Sequence, residues 1–278
     1  MTFGQRLHAV TSARSPLCAG IDPHPGLLEQ WGLEDTPAGL TRFAMVAAEV
    51  LGQEAGVVKP QAAFFERHGA AGVAVLERVI ATCREAGALV LLDIKRGDIG
   101  STSQAYADAY LDPRSPLAAD AVTVSPYLGF GSLEPFLATA ERHAAGVFVL
   151  ALTSNPEGPQ FQRARTADGA GVGATVLREA AARNEGATPL GSVGVVVGAT
   201  VTPATEELGE DFAINGPILA PGVGAQGATF ADVRRVFGPA AAQVLPASSR
   251  EILRAGPDAA ALRSAVRRAA DAAAELRA

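Results

Sequence analysis

The feature of this 278-residue chain that most restricts its fold is a pairing that recurs eight times, a short apolar run followed by a stretch with helical character. The runs are Leu17–Ile21, Val57–Val58 before Lys59 and Pro60, 88–95, Ala121–Val124, Gly146–Leu152, 193–198, Ile218–Ala220 and one ending at Val244 and Leu245. The helical stretches follow at 37–55, 69–86, 101–111, 132–144, 172–186, 203–210, 228–237 and 251–277. In the first of them Phe43, Val46, Val50 and Leu51 fall at helical spacing. Ser101, Thr102 and Ser103 are candidates to cap the third. Continuous apolar runs of this length suit strands buried on both faces, and alternation with helices makes the sheet parallel. Eight units favour closure into an α/β (β/α)8 TIM barrel over an open doubly wound sheet. No Ser/Gly/Pro-rich linker divides the sequence, so residues 1–278 are expected to form one barrel domain, with an amphipathic helix in 1–15 closing one end. The polar segment 154–171 is the longest loop candidate, and a loop of that length is usually functional or disordered.

Charge and composition narrow the partners. Lys and Arg number 23 against 29 Asp and Glu, a net charge of -6, and no basic run exceeds a pair such as Arg234-Arg235. Nucleic acid is therefore not an expected partner, although a local basic pocket for one small anion is compatible with these numbers. No uncharged run approaches the ~18 apolar residues of a membrane span, and the N-terminus lacks the pattern of a secretion signal. The two cysteines, Cys18 and Cys83, are too few for a disulfide framework, which fits a cytoplasmic protein. Four scattered histidines make a zinc cluster improbable.

In a barrel, polar residues at the C-terminal ends of the strands converge on one mouth. Here these are Asp22, Lys59, Asp93, Lys95, Ser125, Thr153, Asn155, Gln226 and Arg250. The densest group lies in the stretch from Val90 to Thr102, where Asp93 and Lys95 are two apart and so share a face while the strand persists. Asp98 follows Gly97, where the backbone can turn, and need not point the same way. Charges directly after a buried run are costly unless they pair or do chemistry. With Lys59 they make an alternating Lys/Asp/Lys array, which holds each charge in its ionised form. Arg96 reads as a solvated arginine; His8, His68 and His143 read as surface or helix-end residues, and Trp31, Phe64, Phe65 and Phe130 as packing residues. His24, beside Asp22, is a weaker candidate for the rim of the mouth.

The stretch Pro221-Gly-Val-Gly-Ala-Gln-Gly227 lacks the Gly-Lys-Ser/Thr of a P-loop and follows the seventh run rather than the first. It suits backbone N–H groups, at Gly222 and Gly224, that grip a phosphate after a late barrel strand. Arg250, after the eighth run, adds planar charged donors.

With these residues in view, the chain resembles the orotidine 5'-phosphate decarboxylases, and among them the longer bacterial branch. The matching stretches are Leu17-Cys-Ala-Gly-Ile-Asp22, Val58-Lys-Pro60, Asp93-Ile-Lys-Arg-Gly-Asp-Ile99 with Thr102, Ser125-Pro-Tyr127, Pro221-Gly-Val-Gly-Ala-Gln226 and Ser249-Arg250. The resemblance implies decarboxylation of orotidine 5'-monophosphate (OMP) to uridine 5'-monophosphate (UMP) in pyrimidine biosynthesis. It further implies no metal, no organic cofactor and a homodimer with shared active sites. Lys95 would be the proton donor, Asp93 would stand beside the substrate carboxylate, and Lys59 would hold Asp93 and contact the ribose. Asp98 and Thr102 would enter the partner subunit's site. Asp22 would bind the sugar hydroxyls, Ser125 the pyrimidine ring, and Gln226 with Arg250 the phosphate, while the loop after the fifth strand would order only around substrate. The Asp-x-Lys-x-x-Asp core is shared by other phosphosugar barrel enzymes, which typically use a metal. A non-catalytic anion-binding barrel would explain the glycine and arginine residues but not the Lys/Asp/Lys array.

Overall fold

Each apolar run is a strand in the computed structural model, which describes residues 1–201, 212–223 and 228–277. The strands are β1 Cys18–Ile21, β2 Val57–Pro60, β3 Leu89–Arg96, β4 Ala121–Val124, β5 Gly146–Leu152, β6 Val193–Val197, β7 Ile218–Pro221 and β8 Val244–Ser248. They pair in parallel and in sequence order, and β8 returns to β1, closing the barrel. A closed parallel sheet has no solvated face, and β1, β2 and β4 are buried along their whole length.

Alternation along the strands divides the core in two. Cys18, Val57, Leu91, Phe148, Val196 and Leu245, from six different strands, fill the barrel interior. Their chain neighbours Ala19, Val58, Val90, Leu92 and Val147 face outward and pack under the helices. The N-terminal helix Phe3–Ala13, started by a Thr2/Gln5 capping box, plugs the barrel end away from the mouth with Phe3 and Leu7. Phe3 meets Phe148 edge-on, with centroids 6.1 Å apart and planes at 85°. This contact explains Gly146, because a Cβ there would lie 2.4 Å from the Phe3 ring. Trp31 and Phe65 are buried packing residues, and the Trp31 indole donates to the carbonyl of Leu253 at 2.9 Å.

Several boundaries differ from the sequence reading. β8 begins at Val244 and runs on to Ser248, since Pro246 and Ala247 keep their pairing with β7. The third helix starts at Gly100 with Ile99 as its N-cap, and no side chain caps it, so the hydroxyls of 101–103 do not serve there. Segment 154–171 is not structureless: it contains the helical turn Pro159–Gln162 and an antiparallel bridge between Arg165 and Gly171. The helix expected at 203–210, together with Gly224 and Gln226, lies outside the described residues.

Candidate active site

Because every strand runs the same way, all eight C-terminal ends meet at one mouth. There a cavity of about 270 Å³ is lined by Asp22 after β1, Lys59 and Gln61 from β2, Asp93 and Lys95 from β3, and Thr123 from β4. Thr153 and Ser154 after β5, Gly222 after β7, and Ser248, Ser249 and Arg250 at the end of β8 also line it. A larger cavity, about 680 Å³, opens around Met1, Phe3, Leu137, Arg183 and Val193 and contains none of this array. The mouth is therefore the candidate site.

Its centre is the carboxylate of Asp93. Lys59 donates to Oδ2 at 3.1 Å, and Lys95 and Thr123 donate to Oδ1 at 2.6 and 2.7 Å. Lys59 also donates to Gln61 Oε1 at 3.2 Å and lies 3.8 Å from Asp22. The side chains of Lys59 and Asp93 are only 7% and 8% exposed, whereas Lys95 is 45% exposed and reaches into the open mouth. Burial alone would raise the Asp93 pKa, but the two lysines and the Thr123 hydroxyl outweigh it and hold the carboxyl well below the usual range. Burial alone would likewise lower the Lys59 pKa, yet Asp93 and Asp22 outweigh it and keep the ammonium charged. Two mutually stabilised buried charges make a fixed electrostatic frame, with Lys95 as its exposed member.

Backbone geometry aims that member. Leu92 pairs with Val122 and Arg96 with Val124, so Asp93, Ile94 and Lys95 face Thr123 alone across the β3–β4 ladder. Lys95 takes φ 45°, a left-handed conformation unusual for a residue with a Cβ. Beyond it Arg96 is not solvated as expected. Its guanidinium donates to Glu66 and lies 5.7 Å from the centre of the Tyr106 ring, anchoring the strand end from outside the barrel.

The other sequence-derived residues divide clearly. Asp22 lines the cavity, and its buried Oδ1 accepts no hydrogen bond. Gly222 has φ 106°, as glycine allows, and lines the mouth beside Arg250. Ser125 does not line it: its N–H donates to the Arg96 carbonyl, and its own carbonyl packs against Gly97. Thr153 and Ser154 occupy the equivalent place one strand later. Asp98 is half-buried and accepts the Ile99 N–H at 2.8 Å, Thr102 is exposed, and neither reaches the mouth of its own barrel. Asn155 is tied into the segment after β5 by Thr153 and Glu157. His24 packs on Phe64 with centroids 4.2 Å apart, and burial with the nearby Arg250 and Arg67 lowers its pKa against the pull of Asp22. Gln61, Thr123 and Ser154 are mouth residues that sequence reasoning missed. Gln61 stands two positions past Lys59, a detectable period-two signal, whereas Thr123 reads as an ordinary β-branched strand residue. Among the described residues no group of three or more His, Cys, Asp or Glu is arranged to hold a metal ion.

Fold and mouth together define a (β/α)8-barrel enzyme for a small anionic substrate, built around a preorganised lysine–aspartate array. The chain belongs to the orotidine 5'-phosphate decarboxylase / HUMPS family, whose model matches residues 15–265. It is 62% identical over 267 residues to the orotidine 5'-phosphate decarboxylase of Salinispora tropica, covering 96% of this chain and 95% of that one. To the enzyme of that name from a Nocardioides species it is 64% identical over 256 residues, covering 91% and 92%. A crystal structure from Streptomyces avermitilis, provisionally assigned to the same enzyme, superposes with a TM-score of 0.96 at 55% identity, covering 99% of this chain and 96% of that one.

Proposed function

We propose that this chain decarboxylates OMP to UMP and CO2, with Lys95 supplying the proton. The observation that carries the assignment is the Lys59–Asp93–Lys95 array at the mouth of a barrel of this family. Breaking the bond between the pyrimidine ring and its carboxylate leaves an electron pair on a ring carbon that has no electron sink. The exposed Lys95 ammonium stabilises that developing charge, transfers a proton to the carbon to complete the new C–H bond, and is reprotonated from solvent. Asp93 is ionised before substrate arrives, so the frame needs no reorganisation during the reaction. Its charge also opposes the substrate carboxylate, a repulsion that departing CO2 relieves.

Arg250 and the backbone at Gly222 suit the phosphate, with Gly224 and Gln226 assigned there from the family pattern. Asp22 Oδ1, which accepts no hydrogen bond within the protein, suits a sugar hydroxyl, with the Lys59 ammonium 3.8 Å away. Thr153 and Ser154, rather than Ser125, are placed to meet the ring's polar edge. Binding energy from the remote phosphate is then available to align the ring.

The reading includes a homodimer with Asp98 and Thr102 serving the neighbouring mouth. It rests on their position outside their own cavity and on exposed apolar residues in the segments that follow β3, β4 and β5. Ile99, Tyr127, Leu128 and Phe161 are 62%, 75%, 52% and 55% exposed, and Tyr127 meets Phe161 edge-on at 5.8 Å. The buried free thiols Cys18 and Cys83 fit a reducing cytoplasm, where we place the enzyme as one barrel domain over residues 1–278. No helix among the described residues is long and apolar enough to cross a membrane.

The decisive assay is CO2 release from carboxyl-labelled OMP. Lys95→Ala is expected to remain folded and lose turnover by more than about 10³-fold; near-normal release refutes the mechanism. Mixing Lys95→Ala with Asp98→Asn chains tests the shared site. Activity regained in the mixture supports it, and an inactive mixture of confirmed heterodimers rejects it.

A further inference from the structure

The hydroxyl of Thr123 is the junction of a closed hydrogen-bonded ring. The backbone N–H of Lys95 donates to Thr123 Oγ1 at 3.0 Å, Oγ1 donates to Asp93 Oδ1 at 2.7 Å, and the Lys95 ammonium donates to the same Oδ1 at 2.6 Å. Lys95 thus enters the ring twice, once through its main chain and once through the end of its side chain. The ladder explains why a side chain is needed. With Asp93, Ile94 and Lys95 bulged opposite Thr123 alone, the regular ladder is interrupted at Lys95, and its N–H donates to the Thr123 hydroxyl. Thr123 is 1% exposed and β-branched, so its hydroxyl has little rotational freedom within the wall. One hydroxyl therefore stabilises the left-handed turn at Lys95 and orients the carboxylate that holds the lysine's tip.

We propose that Thr123 is a positioning residue for the decarboxylation, setting where the Lys95 ammonium stands relative to the carbon it protonates; this rests on the functional reading above. It binds no substrate group in this role and acts only through Lys95 and Asp93. Proton delivery depends steeply on placement, whereas phosphate and sugar binding draw on other residues, so the effect belongs in kcat rather than KM.

The test compares steady-state CO2 release from OMP by wild type, Thr123→Val and Thr123→Ser, with the unfolding midpoint of each recorded. Valine keeps the shape but can neither accept from Lys95 nor donate to Asp93. Its kcat is expected to fall about 10- to 100-fold with KM within about threefold of wild type, while serine, which keeps the hydroxyl, stays within about fivefold in kcat. A valine variant with kcat within about threefold of wild type, a loss confined to KM, or a serine variant as impaired as valine overturns the proposal. Should valine not accumulate as folded protein, Thr123→Cys carries the same comparison, because a thiol of similar volume is a far weaker donor and acceptor. A wild type inert toward OMP would overturn the functional reading, and this inference with it.

Discussion

The charged frame of the mouth makes a quantitative demand on stability. Asp93→Asn keeps the size of the side chain but removes the charge 3.1 Å from Lys59, whose side chain is 7% exposed. At an effective dielectric of ~20 the gross attraction at that distance is about 5 kcal/mol. Some of it survives in Asp22, 3.8 Å from the same ammonium. Breaking a buried pair from one side typically costs ~3–5 kcal/mol, and the remaining carboxylate places this case near ~3 kcal/mol. Lys59→Met leaves Asp93 with Lys95 and Thr123 still bonded to it, so its cost is expected to be smaller, ~2 kcal/mol. The double variant has neither buried charge stranded. Its loss should fall short of the two single losses combined by about 2 kcal/mol. Urea unfolding at neutral pH, followed by circular dichroism on all four proteins, measures the cycle. Additivity within about 0.5 kcal/mol would show that the two side chains are not coupled, and the argument for a preorganised frame would fail.

Other consequences are separable from this one. The Asp93 pKa is depressed, so the unfolded chain binds more protons than the folded one in acid; the resulting stability is present above ~4 and is lost as pH falls. The gap in unfolding free energy between wild type and Asp93→Asn should therefore narrow below about pH 4, and a gap constant from pH 6 to 3 contradicts the assignment. Arg250→Gln should raise KM for OMP by about 10- to 100-fold with a much smaller change in kcat, and unchanged kinetics would remove Arg250 from the phosphate site. Gly146→Ala, far from the mouth, drives a methyl to within 2.4 Å of the Phe3 ring and should cost ~1–3 kcal/mol in stability; an unchanged melting temperature would mean that the helix plug yields freely. Exhaustive chelation should leave CO2 release unchanged. Activity lost to a chelator and restored by a divalent cation would move the chain toward the metal-using phosphosugar barrels.

Much of this is legible in the amino-acid sequence. Strand runs such as Gly146–Leu152 are buried on both faces and so are continuously apolar, and that signal is local. The charges after such runs were visible for the same reason, because Lys59, Asp93 and Lys95 interrupt apolar sequence where burial is costly. Ser125 misled because it, too, follows a strand; its peptide supports the turn at Gly97, and it is Thr153 and Ser154, one strand later, that line the mouth. Arg96 misled in the opposite sense. Its partners Glu66 and Tyr106 come from other helices, and nothing nearby in the chain announces them.

The eight-fold strand–helix alternation, the parallel barrel that follows from it and the Lys59, Asp93 and Lys95 charges at its centre are all local properties of the chain, since each depends on apolar periodicity and residue type within a few positions. How those charges are aimed is a property of the folded barrel. The three-against-one bulge of β3 on β4, the left-handed turn at Lys95 and the hydroxyl of Thr123 that closes the ring arise from the register between strands some thirty residues apart. Register is settled by packing around the whole closed barrel, and no local stretch of sequence contains it.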